Sequence, residues 1–138
     1  MRKTQTQLLK EHQLRSTSSR SAILSLFFRH HHALSYSDIE RQVSENYDRV
    51  TVYRTLKTFL DKGVIHKVLD DSGALKYALC NDHCSTGHHH DHVHFKCLIC
   101  GQTSCLDDAE IPALRLPPGY RAVETNLLIQ GTCPRCQQ

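Results

Sequence analysis

Apolar side chains in the first half of the chain recur at helical spacing. Ala22, Ile23, Leu26 and Phe27 follow i, i+1, i+4, i+5 after a candidate cap at Ser18, and the run closes at His30-His31-His32. Ser35-Tyr36-Ser37-Asp38 fits a capping box, which predicts a short helix with Ile39 and Val43 on one face. Asp48 caps a third predicted helix, Val52, Leu56, Phe59 and Leu60 form its buried stripe, and Gly63 stops it. The period then changes. Val64 to Leu69 and Leu75 to Leu79 are apolar runs on either side of Asp70-Asp71-Ser72-Gly73, the pattern of a hairpin. Helices followed by a hairpin in this order predict a winged helix-turn-helix.

Apolar residues almost vanish between Cys80 and Asp91, which reads as a linker. From His92 onward the pattern is short strands, over 92–97, 102–106 and roughly 120–130, with Pro112, Pro117 and Pro118 interrupting any long helix between them. The expected organisation is a winged-helix domain over residues 1–79, a hinge linker over 80–91 and a second small domain over 92–138.

Composition narrows the class. A chain of 138 residues, 39% hydrophobic, suits one ordinary domain or two small ones. The longest apolar run, Ala22 to Phe28, is too short to span a membrane, and the N-terminus lacks the apolar stretch of a signal peptide. The cytosol is therefore the expected compartment. Thiols are kept reduced there, so seven cysteines, an odd number, argue for metal binding over disulfides. The net charge of +3 permits a nucleic-acid partner. Residues 1–30 sharpen that, with Arg2, Lys3, Lys10, Arg15, Arg20 and Arg29 against the single acid Glu11.

The third predicted helix carries Arg49, Tyr53 and Lys57 at intervals of four, largely off the apolar stripe, flanked by Thr51 and Arg54. Arg and Lys bind phosphates or guanine edges, and Tyr or Thr can contact a thymine methyl. A solvated amphipathic face would look the same in isolation, but the preceding helix and following hairpin favour a DNA-reading helix. Arg15 and Arg20, ahead of the first predicted helix, are placed to reach phosphates or an adjacent minor groove.

Cys97-Leu98-Ile99-Cys100 and Cys133-Pro134-Arg135-Cys136 are both C-x-x-C knuckles, and two knuckles close a tetrahedral zinc–sulfur site. A redox pair is the competing reading, but the βαβ context it needs is missing. A second donor group lies beside the first. His92 and His94 project from one face of a strand, and counting back from the Cys97–Gly101 turn places Cys105 across from His94. Two imidazoles and a thiolate suit a borderline-soft metal. The fourth donor is expected from Cys80, Asp82, His83 or Cys84, with Cys84 preferred and His32 as competitor.

Together these residues resemble the ferric uptake regulator family of bacterial metal-dependent repressors. The resemblance rests on Leu14-Arg15-x-Thr17-x-x-Arg20, Thr51-Val52-Tyr53-Arg54-x-Leu56, His88-His89-His90-Asp91-His92 and the two C-x-x-C pairs. It implies a mixed α/β (α+β) protein, in which a winged helix reads a palindromic double-stranded DNA operator and a small C-terminal α/β domain makes a homodimer. It further implies a regulatory metal at the hinge, with Arg15 entering the minor groove, Tyr53 contacting a base and Arg54 a phosphate. By the same resemblance His92 and His94 are the paired regulatory histidines. Cys105 falls where members commonly place a carboxylate, and thiolate in place of a hard oxygen favours Zn(II) over Fe(II) or Mn(II). Within the family the chain looks most like a zinc uptake regulator. Val93, Ala33 and the stretch around Thr125 also depart from family ligand positions, so a complete third metal site is not expected.

The expected function is thus a cytoplasmic, metal-responsive repressor of metal-uptake genes, with structural zinc on Cys97, Cys100, Cys133 and Cys136. Its expected regulatory site is Cys84, His92, His94 and Cys105. The rival readings are an Fe(II)-responsive or peroxide-sensing repressor, a zinc store, and a zinc hydrolase or deaminase. The last needs a general acid or base at His-x-Glu or His-Glu-x-x-His spacing, which the sequence lacks.

Overall fold

The structure, a computed structural model, describes residues 3–80, 92–106, 109, 112–123 and 125–137, and of His92 the backbone alone. The proposed linker ligand Cys84 and its alternatives Asp82 and His83 lie outside the described residues, as does all of the proposed linker except Cys80. The chain divides into two compact units, Met1–Cys80 and Asn81–Gln138.

The first unit opens with a helix that the apolar pattern did not announce. In α1 (Gln5–Glu11) the Thr4 hydroxyl accepts from the Gln7 N–H, and the Gln7 side chain accepts in return from the Thr4 N–H. This local closure delivers Leu8 and Leu9 to the core. Helix α2 (Ser18–Arg29) is capped by Thr17, one residue before the expected Ser18, its hydroxyl 3.2 Å from the Arg20 amide. A short strand β1 (Leu34–Ser35) leads into α3 (Tyr36–Val43), where Ser35 and Asp38 form the expected capping box. Asp48 caps α4 (Arg49–Asp61), accepting from the Thr51 amide at 2.8 Å. The helix ends at Gly63, whose φ of +76° is a left-handed conformation that a residue with a Cβ adopts only with strain.

Strands β2 (Ile65–Leu69) and β3 (Leu75–Leu79) form the hairpin, and β1 pairs with β3, giving an antiparallel sheet in the order β1-β3-β2. At the turn the buried Asp70 carboxylate accepts from Lys76 Nζ at 2.8 Å and from the Ser72 amide at 2.9 Å. The core joins all four helices to the hairpin: Leu9, Ile23, Leu24, Leu34, Ile39, Val52, Phe59, Val64 and Ile65 are buried together. Each such side chain contributes about 1.5–3 kcal/mol by leaving water.

The second unit is built on a mixed sheet of β4 (His92–Cys97), β5 (Thr103–Cys105) and β6 (Asn126–Gly131), in the order β5-β4-β6. β5 runs antiparallel and β6 parallel to the central β4. Phe95 covers Gly131 so closely that a Cβ there would meet the ring at 3.2 Å. The third strand, expected from about residue 120, begins only at Asn126. Residues 112–123 form no helix or strand and are exposed; Pro117 and Pro118 lack the N–H groups a ladder needs, and Gly119 turns the chain with φ +93°.

Candidate metal centre and nucleic-acid surface

The two C-x-x-C pairs meet because β6 runs parallel to β4. Cys97 is in register with Gly131, so Cys133, two residues further on, arrives beside the first knuckle. The Leu98 amide bonds the Gly131 carbonyl at 2.8 Å and ties the two segments together. Donor atoms of Cys97, Cys100, Cys133 and Cys136 all lie within 4.8 Å of one another. Sulfurs at the corners of a tetrahedral zinc site are about 3.8 Å apart, so the cage fits that ion with little adjustment. Backbone N–H groups of Ile99, Cys100 and Cys133 point at Cys97 Sγ from 3.4–3.5 Å.

Those amides, Cys100 first, draw the Cys97 thiol down to about 6. The contact with the Cys133 thiol, with burial added, pushes Cys136 up to about 12. Negative charge is thus concentrated on one sulfur and resisted at another. Ionising all four requires a compensating cation, and a divalent ion that favours sulfur is the one the donor set fits. Cys97, Cys100, Cys133 and Cys136 are free thiols.

Across the β4–β5 ladder His94 is in register with Cys105. Val93 and Leu106 on one side, and Cys97 and Gln102 on the other, are hydrogen-bonded pairs. His94 and Cys105 therefore occupy a non-hydrogen-bonded position, where facing side chains approach most closely. Donor atoms of the two lie within 4.8 Å, and the His94 ring is buried. His92 is on β4, two residues before His94.

Sequence reasoning passed over His66. It is buried on β2, and its Nδ1 is 3.4 Å from Cys80 Sγ in the same unit. His66 pairs with Ala78, and the Cys80 amide bonds the Val64 carbonyl, which makes His66 and Cys80 diagonal neighbours on one face. Counting register outward from the Asp70–Gly73 turn would have found the pair. Like His94 and Cys105, it offers an imidazole and a thiol.

On α4, Tyr53, Arg54 and Lys57 are exposed opposite the buried Val52, Thr55, Leu56 and Phe59. Arg49 is exposed but held: its Nε donates to Glu40 of α3 at 2.9 Å, and the Tyr36 hydroxyl donates to its carbonyl at 3.2 Å. Thr51 is half-buried, its amide bonded to Asp48. Arg15 is exposed, while the Arg20 guanidinium braces the loop by donating to the Arg15 carbonyl at 2.9 Å. His32 turns its Nδ1 toward the Ala33 carbonyl at 3.0 Å.

A winged helix with a basic outer face on its last helix, joined in one chain to a four-cysteine cage, defines a nucleic-acid-binding regulator that carries metal. The family model for the ferric uptake regulator family matches residues 11–116. The chain is 33% identical over 137 residues to the ferric uptake regulation protein of Neisseria gonorrhoeae, covering 94% of this chain and 90% of that one. It is 32% identical over 134 residues to the protein of the same description from Staphylococcus aureus strain Mu50, covering 94% and 93%. Among solved structures, a zinc uptake regulator complexed with zinc and DNA matches its fold with a TM-score of 0.65 at 23% identity, covering 99% of this chain and 97% of that one. The chain belongs to the ferric uptake regulator family. Members of this family are dimeric, metal-responsive DNA-binding regulators of transcription, not enzymes. Among the described residues no helix is long and apolar enough to cross a membrane.

Proposed function

We propose that this protein is a cytoplasmic Zn(II)-responsive repressor of metal-uptake genes, which binds a palindromic DNA operator as a homodimer. The observation that carries the metal assignment is the facing pair His94–Cys105, an imidazole and a thiol where a harder metal would want oxygen. His92 shares β4 with His94, and Cys84 completes the proposed set, with Cys80, Asp82, His83 or His32 as the alternative. Bound to these donors, Zn(II) supplies a positive charge that deprotonated thiols and neutral imidazoles satisfy. The cage of Cys97, Cys100, Cys133 and Cys136 holds a separate structural Zn(II).

The protein's own residues supply the DNA side. Arg54 and Lys57 neutralise phosphates, Tyr53 and Thr51 reach the major groove, Arg49 flanks it, and Arg15, braced by Arg20, approaches the minor groove. Metal and operator stabilise the same state of the dimer, so each raises the affinity for the other by an equal factor.

Fe(II) is the second reading, favoured by the description of the curated relatives as ferric uptake regulation proteins. The deciding experiment is operator binding by the full-length protein under reducing conditions, titrated with Zn(II), Fe(II) and Mn(II). Activation at the lowest free concentration by Zn(II) supports the proposal. Activation by Fe(II) with indifference to Zn(II) overturns it.

A further inference from the structure

Val50 is an apolar residue that the fold does not use. It lies in the first turn of α4, is 53% exposed, and stands among Arg49, Arg54 and Lys57. Successive residues of a helix advance by about 100°. On that wheel the buried Val52, Thr55, Leu56 and Phe59 centre on one side. Val50, Tyr53, Arg54 and Lys57 occupy the opposite arc, with Val50 nearest its middle and Arg54 and Lys57 equally far from that middle on either side. Arg49 and Thr51 fall at its edges. Arg49 is further drawn toward α3 by Glu40, with its carbonyl fixed by Tyr36.

The centre of the outward face at the helix N-terminus is therefore a branched aliphatic side chain followed one turn later by Tyr53, itself 60% exposed. Helix stability does not explain it, since valine is a poorer helix former than alanine at a solvated position. The Thr51 amide at the helix N-terminus is already bonded to Asp48, so that donor is not free to hold a phosphate.

We propose that Val50 is a specificity-determining residue that packs on the 5-methyl group of a thymine in the major groove, forming with Tyr53 a two-residue apolar reader framed by cations. The methyl group is the one apolar feature on the major-groove edge of a base pair, and it separates thymine from every other base there. The surrounding Arg54 and Lys57 complement the phosphates on either side of such a contact. This inference rests on the DNA-binding reading above.

The test is selection of the full-length protein, loaded with Zn(II), against a pool of random-sequence duplexes, followed by replacing each selected thymine with uracil, which lacks the methyl. Losing one methyl contact costs about fourfold per half-site, or about fifteenfold when both halves of a palindrome are changed. The expected result is one symmetry-related thymine pair whose replacement weakens wild-type binding by that factor and leaves Val50→Ala unaffected. V50A on the thymine operator should show the same loss, with no drop in melting temperature or zinc content, while Val50→Ile keeps the uracil penalty. Identical uracil penalties at every thymine in wild type and V50A overturn the role of Val50. A wild-type protein that enriches no palindrome with Zn(II), Fe(II) or Mn(II) overturns the DNA-binding reading itself.

Discussion

His94 and Cys105 face each other at a non-hydrogen-bonded position of the β4–β5 ladder, an imidazole against a thiol. The ladder fixes their separation, so the chemistry of this site is set by which atoms the two side chains carry. Cys105→Asp should keep the geometry and exchange soft sulfur for hard oxygen. We expect Zn(II) to activate DNA binding at least about tenfold less effectively, with Fe(II) or Mn(II) gaining relative to it. Metal titrations of operator binding by fluorescence anisotropy check this, and an unchanged metal order would remove Cys105 from the regulatory site.

Cys133→Ala should behave differently. Its amide donates to Cys97 Sγ and its thiol is one corner of the cage that joins the end of β6 to the end of β4. We expect the tightly held metal to fall by one ion per chain, with loss of the dimer in size-exclusion chromatography. The helices of the first unit, with a core of their own, should still melt cooperatively by circular dichroism. A chelator strong enough to strip the wild-type cage should reproduce the variant.

On α4 two exposed contacts, Lys57 and Tyr53, separate by salt dependence. Lys57→Ala should weaken binding to all sequences alike and reduce the slope of log affinity against log salt by about one. Tyr53→Ala should leave the slope in place and cost about 1–3 kcal/mol on the specific operator alone. Binding isotherms over a range of salt concentrations distinguish them, and equal slopes for all three proteins would contradict the assignment of Lys57 to phosphate.

Asp38 gives the first unit a pH dependence. Burial pushes its carboxyl up, but the Ser35 amide and side chain, then the hydrogen bond and charge of Arg41, outweigh this and leave it below the ordinary range. A group whose pKa is depressed on folding stabilises the protein above its unfolded value of about 3.9, and that contribution is lost as pH falls through the folded value. Asp38→Asn should therefore destabilise α3 at neutral pH and cost progressively less below about pH 4. Urea unfolding followed by circular dichroism at neutral and acid pH measures the difference. A penalty independent of pH would assign it to packing instead.

Much of this architecture was legible because it is local. Caps such as Ser35–Asp38 and Asp48, and the stop at Gly63, act within a few residues, so spacing alone exposes them. The His94–Cys105 pair was legible for the same reason, since a tight turn at Cys97–Gly101 fixes register on both sides. Helix α1 was missed because QTQLLKE carries only two adjacent leucines, too few to show a period, and its Thr4–Gln7 capping box was not read. His66 was missed because it stands in an apolar run, Val64-Ile65-His66, that reads as plain core.

The sequence by itself determined the helices α2 to α4 and the hairpin in winged-helix order, the two C-x-x-C knuckles and the thiolate at position 105, each a matter of residue type at short spacing. Tertiary structure alone decided how the two distant knuckles are brought together. Cys97 reaches Cys133 because β6 pairs in parallel with β4, and no local rule sets the partner of a strand that returns after so long an interval. It also decided that Val50, not Arg49, stands at the centre of the outward face of α4. The direction of that face depends on where Val52, Leu56 and Phe59 find their core, and on Glu40 and Tyr36 holding Arg49 aside.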